Sequence, residues 1–320
     1  SSLCRSVILL YLILIRSKPL IHWFGKISLK CSLVTGGMGF TGKKLVDFLV
    51  RSGETPIMLV RSKETIEEGE IPPQVEVMTL SEFRERITDY DVQTVFHLAT
   101  TYIYTPSETE ITQLINSNIE LPVQIAQILS NENKSVDWIN VSTFMQHYES
   151  LDYSPTSIYA ATKQAAEDLL KYYEVIGTIQ LKTIIFPNVY GENDKRKKLI
   201  NYLLSCMKQG QTAKIASGTQ VLELLHVDDA VRALIEVRNL PPGRWRIPNT
   251  ECYKVQELIL LLDKASGLKL KVEMDPTLDR KLDQYEVWAS GTEIPHFKPE
   301  INVFDWMKKM LREDENQNEN

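Results

Sequence analysis

The sequence predicts an α/β protein: a doubly wound parallel sheet with a smaller C-terminal lobe. Three observations carry that expectation. Short apolar runs alternate with stretches of helical periodicity between residues 29 and 239, and such alternation builds a parallel sheet covered on both faces. Four glycines crowd into "GGMGFTG" at 36–42, between the first apolar run and the first helical stretch. Past residue 190 the alternation loses regularity, as in a lobe assembled from returning segments.

The first run, 29–35, reads as a buried strand. The helix at 40–52 follows, with Leu45, Val46, Phe48, Leu49 and Val50 at helical spacing. Glycine use is below average at 14 in 320 residues, so Gly36, Gly37, Gly39 and Gly42 look placed. A strand, a glycine turn and a helix aim backbone N–H groups and a positive helix end at one point, which suits a diphosphate. A tight turn that binds nothing is the plainer alternative. Further strands are expected at 56–60, 75–78, 94–98, 137–141 and 180–186, with helices at 108–130, 156–176, 195–209 and 227–239. The organisation expected is an extension over 1–29 outside the fold, a main unit over 30–190, a lobe over 191–312 interleaved with it, and a disordered polar tail over 313–320.

Composition narrows the classes. The net charge is −6, from 36 basic and 42 acidic residues, and there is no basic stripe, which disfavours a nucleic-acid module. The block "KRKK" at 195–198 reads as a solvated loop. Cys4, Cys31, Cys206 and Cys252 are scattered without metal-type spacing. Free thiols, no metal and a reducing, cytoplasmic setting are expected. The run "VILLYLILI" at 7–15 is shorter than the roughly 20 residues that span a bilayer, so no membrane partner is expected. It reads as upstream sequence or a fragment end, with the apolar part of a signal sequence as the alternative.

The chemistry lies further on. Tyr159 and Lys163 are four residues apart in a helical stretch, hence on one face. An ammonium beside a phenol favours the phenolate and lowers the tyrosine pKa, tuning it for general acid–base work. With 13 tyrosines in the chain, one such spacing is expected by chance, so placement must carry the reading. The pair follows "WINVSTF", a strand ending in Ser142 and Thr143, and ligands in open α/β sheets bind at that carboxyl edge.

Eight segments now stand in order: "TGGMGFTG" (35–42), "VFHLAT" (95–100), Asn118 in "NSNIELPVQIAQIL", "VST" (141–143), "YAATK" (159–163), "PNVYG" (187–191), "HVDDAVRAL" (226–234) and "FKP" (297–299). Together they resemble the extended short-chain dehydrogenases/reductases, in the nucleotide-sugar epimerase/dehydratase group. The resemblance covers about residues 30–312. It implies a Rossmann domain holding NAD or NADP and a C-terminal lobe gripping a nucleoside-diphosphate sugar. By that resemblance Gly36, Gly39, Phe40, Thr41, Gly42, Arg61, Leu98, Ala99, Thr100, Lys163 and Pro187 would face the cofactor. Thr143, Tyr159 and Lys163 would be catalytic, and Asn118, Asn188 and Arg280 would contact substrate. Asn118 equally suits a helix-interior residue making structural bonds, and His226 suits packing at a strand end.

Departures from the family pattern shape the expected reaction. Arg61 stands after the second strand, where an acidic residue often serves NAD; an arginine suits a 2′-phosphate and favours NADP, unless it is a plain surface residue. Phe144 and Met145 replace the Asp–Glu pair that dehydratases of the family carry, so dehydration is not expected. Leu222 replaces an arginine four residues before His226, which removes one diphosphate contact. What remains is reduction of a 4-keto sugar, or 4-epimerisation by transient oxidation. Distributed similarity to CDP-abequose and CDP-paratose synthases points to reduction, in deoxysugar synthesis for surface polysaccharide such as O-antigen. A non-catalytic nucleotide-binding sensor is the distant alternative. The helices at 108–130 and 156–176 carry apolar residues on more than one face, and the resemblance implies a homodimer through them.

Overall fold

The computed structural model describes residues 29–150, 152–196, 198–287 and 290–318; the apolar run at 7–15 and Cys4 lie outside these. Strands β1 (Leu29–Thr35), β2 (Ile57–Leu59), β3 (Glu76–Met78), β4 (Tyr90–His97), β5 (Val136–Thr143) and β6 (Ile179–Phe186) are joined by the later β10 (Gly243–Arg246) and β13 (Thr292–Glu293). They form one eight-stranded sheet ordered β13-β10-β6-β5-β4-β1-β2-β3. Every pairing in it is parallel. The strand order reverses between β1 and β4, where α/β sheets open a crevice for ligands. Register lines up the carboxyl ends there: Thr35 faces His97, and Thr143 faces Phe186.

Helices cover both faces. On one face α1 (Phe40–Arg51) buries Leu45, Val46 and Leu49 against a core shared with Ala230, Val231 and Leu234 of α7 (Val227–Arg238). On the other, α2 (Leu80–Arg86), α4 (Leu121–Asn131) and α5 (Ile158–Val175) contribute Phe83, Ile125, Leu129 and Leu170 around Trp138. Each such buried side chain stabilises the fold by about 1.5–3 kcal/mol. The sequence sets the helix starts: α2 and α3 (Glu108–Ile115) open on capping boxes, Thr79–Glu82 and Ser107–Glu110.

The remaining chain builds a separate core. Leu203 of α6 (Leu199–Gln209), Leu258 of α8 (Val255–Ser266) and Trp306 of α9 (Val303–Asn318) belong to it. A three-stranded sheet orders β11 (Glu251–Lys254), β9 (Val221–His226) and β7 (Asn188–Tyr190), and β12 (Lys271–Met274) pairs with β8 (Thr212–Ile215). β10 and β13 come from this part of the sequence but complete the large sheet.

Three expectations need correction. The helix at 108–130 is interrupted by a π turn over Asn116–Glu120. Pro122 has no N–H to give the Asn118 carbonyl four residues back, and the ladder widens instead: the Leu121 N–H donates to the Asn116 carbonyl. The helix at 195–209 starts later, at Leu199, because Arg196 is tied to Asp194 by its backbone and its guanidinium. The last helix runs to Asn318 and so enters the stretch expected to be disordered; residues 319 and 320 lie outside the described residues. Among the described residues no helix is long and apolar enough to cross a membrane.

Candidate active site

The glycine turn is built by close approach. Gly36 has φ +71°, and a Cβ there would lie 2.6 Å from the Ala99 nitrogen. A Cβ on Gly42 would meet the Gly36 carbonyl oxygen at 2.0 Å. Larger residues at either place would push the turn away from the loop after β4 or from α1. Thr35 ties these layers together: its hydroxyl accepts from the Ala99 N–H at 3.1 Å and bonds His97 Nδ1 at 2.9 Å. Gly39 caps α1 in an extended conformation with no side chain to accept from the first-turn N–H groups. The amides of Phe40 and Thr41 are left facing the crevice end, an arrangement made for an anion.

Thr143 ends β5 and opens a short 3₁₀ turn over Phe144–Gln146, its hydroxyl accepting from the Met145 N–H at 3.3 Å. Tyr159 enters from the first turn of α5, capped by Ser157. Its ring is 8% exposed and meets Tyr102 edge to face at 4.8 Å. Lys163, one turn on, is 3% exposed. The expected lowering of the Tyr159 pKa by Lys163 is not found. Burial pushes the phenol up to about 12, and the opposing groups are the Thr100 hydroxyl and Arg196. Burial also pulls the Lys163 ammonium down to about 8, against the pull of Glu167. His97 is held neutral by burial and by the Lys163 charge.

A cavity of about 510 Å³ opens over this edge. Of the residues singled out from sequence, it brings together Thr41, Leu98, Thr100, Thr143, Tyr159, Pro187, Asn188 and Arg280. The Asn188 amide nitrogen is buried without a hydrogen-bond partner among the described residues, so it has a donor to spend on a ligand. Gly36, Gly39, Phe40 and Gly42 form the turn beside the cavity, Ala99 packs against it from the loop after β4, and Lys163, one turn along α5 from Tyr159, is buried and does not line the cavity. Arg61 is exposed, two residues past β2.

Asn118 does not belong to this set. It is fully buried in the π turn, and its oxygen accepts from the Thr100 hydroxyl and the Thr101 N–H at 3.1 and 2.8 Å. Its nitrogen donates to the Thr101 carbonyl and the Thr162 hydroxyl at 3.0 and 2.9 Å. All its bonding capacity goes into clamping the loop after β4 onto α5. His226 is likewise structural: its Nδ1 accepts from the Asp228 N–H, and its ring packs against Tyr190 and Trp306.

The opposite wall was not legible. Arg196 and Lys198, from the segment read as a solvated loop, line the cavity together with Lys214, Tyr102 and Tyr104. Arg196 lies over the Phe40 ring at 4.7 Å, Lys198 over Tyr102 at 4.8 Å, and Arg280 over Tyr104 at 4.3 Å. Burial, with Arg196 and Arg280 nearby, brings the Lys198 ammonium down to about 8. Leu222 also lines the cavity. The aromatic–cation pairs skip between distant segments and leave no local pattern to read.

The chain is similar to known proteins over most of its length. CDP-abequose synthase of Salmonella muenchen is 26% identical over 290 residues, covering 87% of this chain and 96% of the relative. The Yersinia pseudotuberculosis enzyme of the same name is 24% identical over 248 residues, 75% and 86% of the two chains. The structure of UDP-glucuronic acid 4-epimerase from Bacillus cereus, solved with UDP-glucuronic acid and NAD, superposes with a TM-score of 0.75 at 19% identity, covering 90% of this chain and 99% of that one. The model of the NAD dependent epimerase/dehydratase family matches residues 32–243. The glycine turn, the carboxyl-edge Thr143 and the Tyr159–Lys163 pair all fall inside that match, and the chain is an enzyme that belongs to the NAD dependent epimerase/dehydratase family.

Proposed function

We propose that this enzyme reduces the 4-keto group of a nucleoside-diphosphate deoxysugar, with NADPH as the favoured reductant over NADH. The observation that carries the reading is the composition of the cavity's two walls. Thr143 and Tyr159 offer hydroxyls from the end of β5 and the start of α5, while Arg196, Lys198 and Arg280 bring cations from the later chain. Cations that repel one another in a half-buried site are stabilised by an anion placed among them, as a sugar diphosphate would be.

Nicotinamide, when bound, supplies hydride to the keto carbon. Gly36, Gly39, Phe40, Thr41 and Gly42 would hold the cofactor diphosphate, and Leu98, Ala99, Thr100 and Pro187 would flank the dinucleotide. Tyr159 donates its proton to the carbonyl oxygen, and its high pKa keeps that proton in place until oxygen becomes basic. Thr143 hydrogen-bonds the same oxygen. Lys163 contributes charge from behind and a donor for the nicotinamide ribose. Asn188 and Arg280 would contact the nucleotide sugar, and Arg61 would pair with a 2′-phosphate.

The apolar pair Phe144 and Met145 has no acid or base with which to eliminate water, which separates the reading from dehydration. 4-Epimerisation is the second reading, favoured by the likeness to the Bacillus cereus fold. The two differ in cofactor stoichiometry: a reductase consumes one NADPH per sugar, whereas an epimerase converts sugar with no net consumption. The purified enzyme should therefore lose nicotinamide absorbance with CDP-4-keto-6-deoxyhexoses and leave UDP-glucose and UDP-glucuronate unchanged. The reverse outcome would establish the epimerase.

The reading includes a homodimer. Leu169 and Tyr172 on α5, with Ile115 on α3, are 46%, 60% and 45% exposed, a stripe that a second copy would cover. Light scattering at micromolar concentration should give twice the 36.7 kDa of one chain; a single-chain mass rejects the dimer.

A further inference from the structure

One turn along α5 from Tyr159, outside the cavity lining, Lys163 stands in a set of charged groups whose other members, Glu167 and Arg244, the proposed reaction leaves unused. Lys163 and Glu167 are four residues apart on one face of α5, 3% and 8% exposed. Arg244, carried on β10, places Nη1 at 3.4 Å from Glu167 Oε1. Its Nη2 donates to His147 Nε2 at 3.2 Å, and His147 Nδ1 bonds the Asp152 carbonyl at 2.8 Å.

A carboxyl group buried this deeply takes up a proton unless cations face it. The groups facing Glu167 are Arg244 from β10, Lys163 and Asp168 from α5, and Thr183 from β6. Asp168 opposes ionisation; Arg244 and Lys163 favour it. Lys163 has the mirror problem. His97 of β4 also faces it but is neutral, and Glu167 is the group that favours its charge.

We infer that Glu167, anchored by Arg244, is a positioning residue for the buried Lys163 ammonium one turn away on the same face of α5. Arg244 acts through Glu167: burial raises the carboxyl pKa, the guanidinium opposes that rise and holds the carboxylate in place, and the carboxylate in turn supports the lysine. The chain of contacts joins α5 to a strand contributed some 80 residues later, and Arg244 Nη1 also donates to Gln164 Oε1 at 3.4 Å alongside it. The inference rests on the role given to Lys163 above, but its physical content is a lysine titration that needs no turnover to read.

The test is NMR of the cofactor-free enzyme labelled with ¹³C at lysine, with the Lys163 signal assigned by its loss in Lys163→Met. Glu167→Gln should lower the Lys163 titration midpoint by about one pH unit or more. Glu167→Asp should restore part of that shift. Arg244→Met should lower the midpoint by less and add nothing when Glu167→Gln is already present. In turnover, the alkaline limb of the kcat profile should move down by the same amount, because Lys163 then loses its charge at lower pH. An unmoved Lys163 titration in folded Glu167→Gln overturns the inference; if that variant does not fold, an unmoved titration in Arg244→Met does so. An enzyme that titrates as expected yet reduces no keto sugar would remove the proposed reaction and leave the charge chain standing.

Discussion

The two walls of the cavity are made in different ways. Thr143 ends β5 in register with Phe186, and Thr41, Thr100 and Tyr159 gather around that edge from the first turn of α1, the loop after β4 and the first turn of α5, where backbone contacts fix their places. Arg196, Lys198, Lys214 and Arg280 come from loops and a short strand of the later chain, where Arg196, Lys198 and Arg280 lie over aromatic rings and Arg196 and Lys214 also pair with Asp194 and Glu273. A wall set by register suits chemistry, which needs atoms held within small tolerances. A wall of long cations suits recognition, which tolerates adjustment. Substitutions on the first wall should therefore act on kcat, and those on the second on substrate affinity.

The largest effect is expected at Tyr159. Tyr159→Phe removes the proton donor and leaves the ring, so turnover should fall by about 10²–10⁴ while dinucleotide binding by calorimetry stays near wild type. Equal loss of both would place Tyr159 in binding instead. Next is Lys198→Met. A charge-assisted contact is worth roughly 1.5–3 kcal/mol, so affinity for CDP or UDP should drop about tenfold to a hundredfold, with kcat on saturating sugar little changed. If kcat falls and nucleotide affinity does not, the two walls do not divide the labour as described. The smallest effect is expected at Arg61, which is exposed. Arg61→Asp should erase a preference for NADPH over NADH of about tenfold; equal affinities in both proteins would show that the arginine faces only water.

The same contrast explains what could be read in the sequence. The glycine turn was legible because its constraints are local: a strand, close contacts at Gly36 and Gly42, and a helix lie within a few residues of one another. Thr143, Tyr159 and Lys163 were legible as residue types in a fixed order along a recognisable chain. The fate of Asn118 was not, because Pro122 widens the helix there and turns the amide inward onto Thr101 and Thr162. The cationic wall was read as a solvated loop because the sequence around 195–198 has charge without periodicity; what buries Lys198 is Tyr102, nearly a hundred residues earlier. The short strands β7 to β13 escaped notice because two to six residues carry too little alternation to identify a strand. Even the sign of the Tyr159 shift depended on burial, which tertiary packing alone decides.

The most direct test of the central claim follows the hydride. The enzyme is supplied with a CDP-4-keto-6-deoxyhexose and NADPH carrying deuterium at the transferable position of nicotinamide, and the sugar is examined by mass spectrometry and NMR. Direct reduction predicts one deuterium at sugar C4 for each NADP⁺ formed, with both lost together in Tyr159→Phe. Conversion of a nucleotide sugar with no deuterium gained and no NADP⁺ formed would contradict the reductase and leave the epimerase.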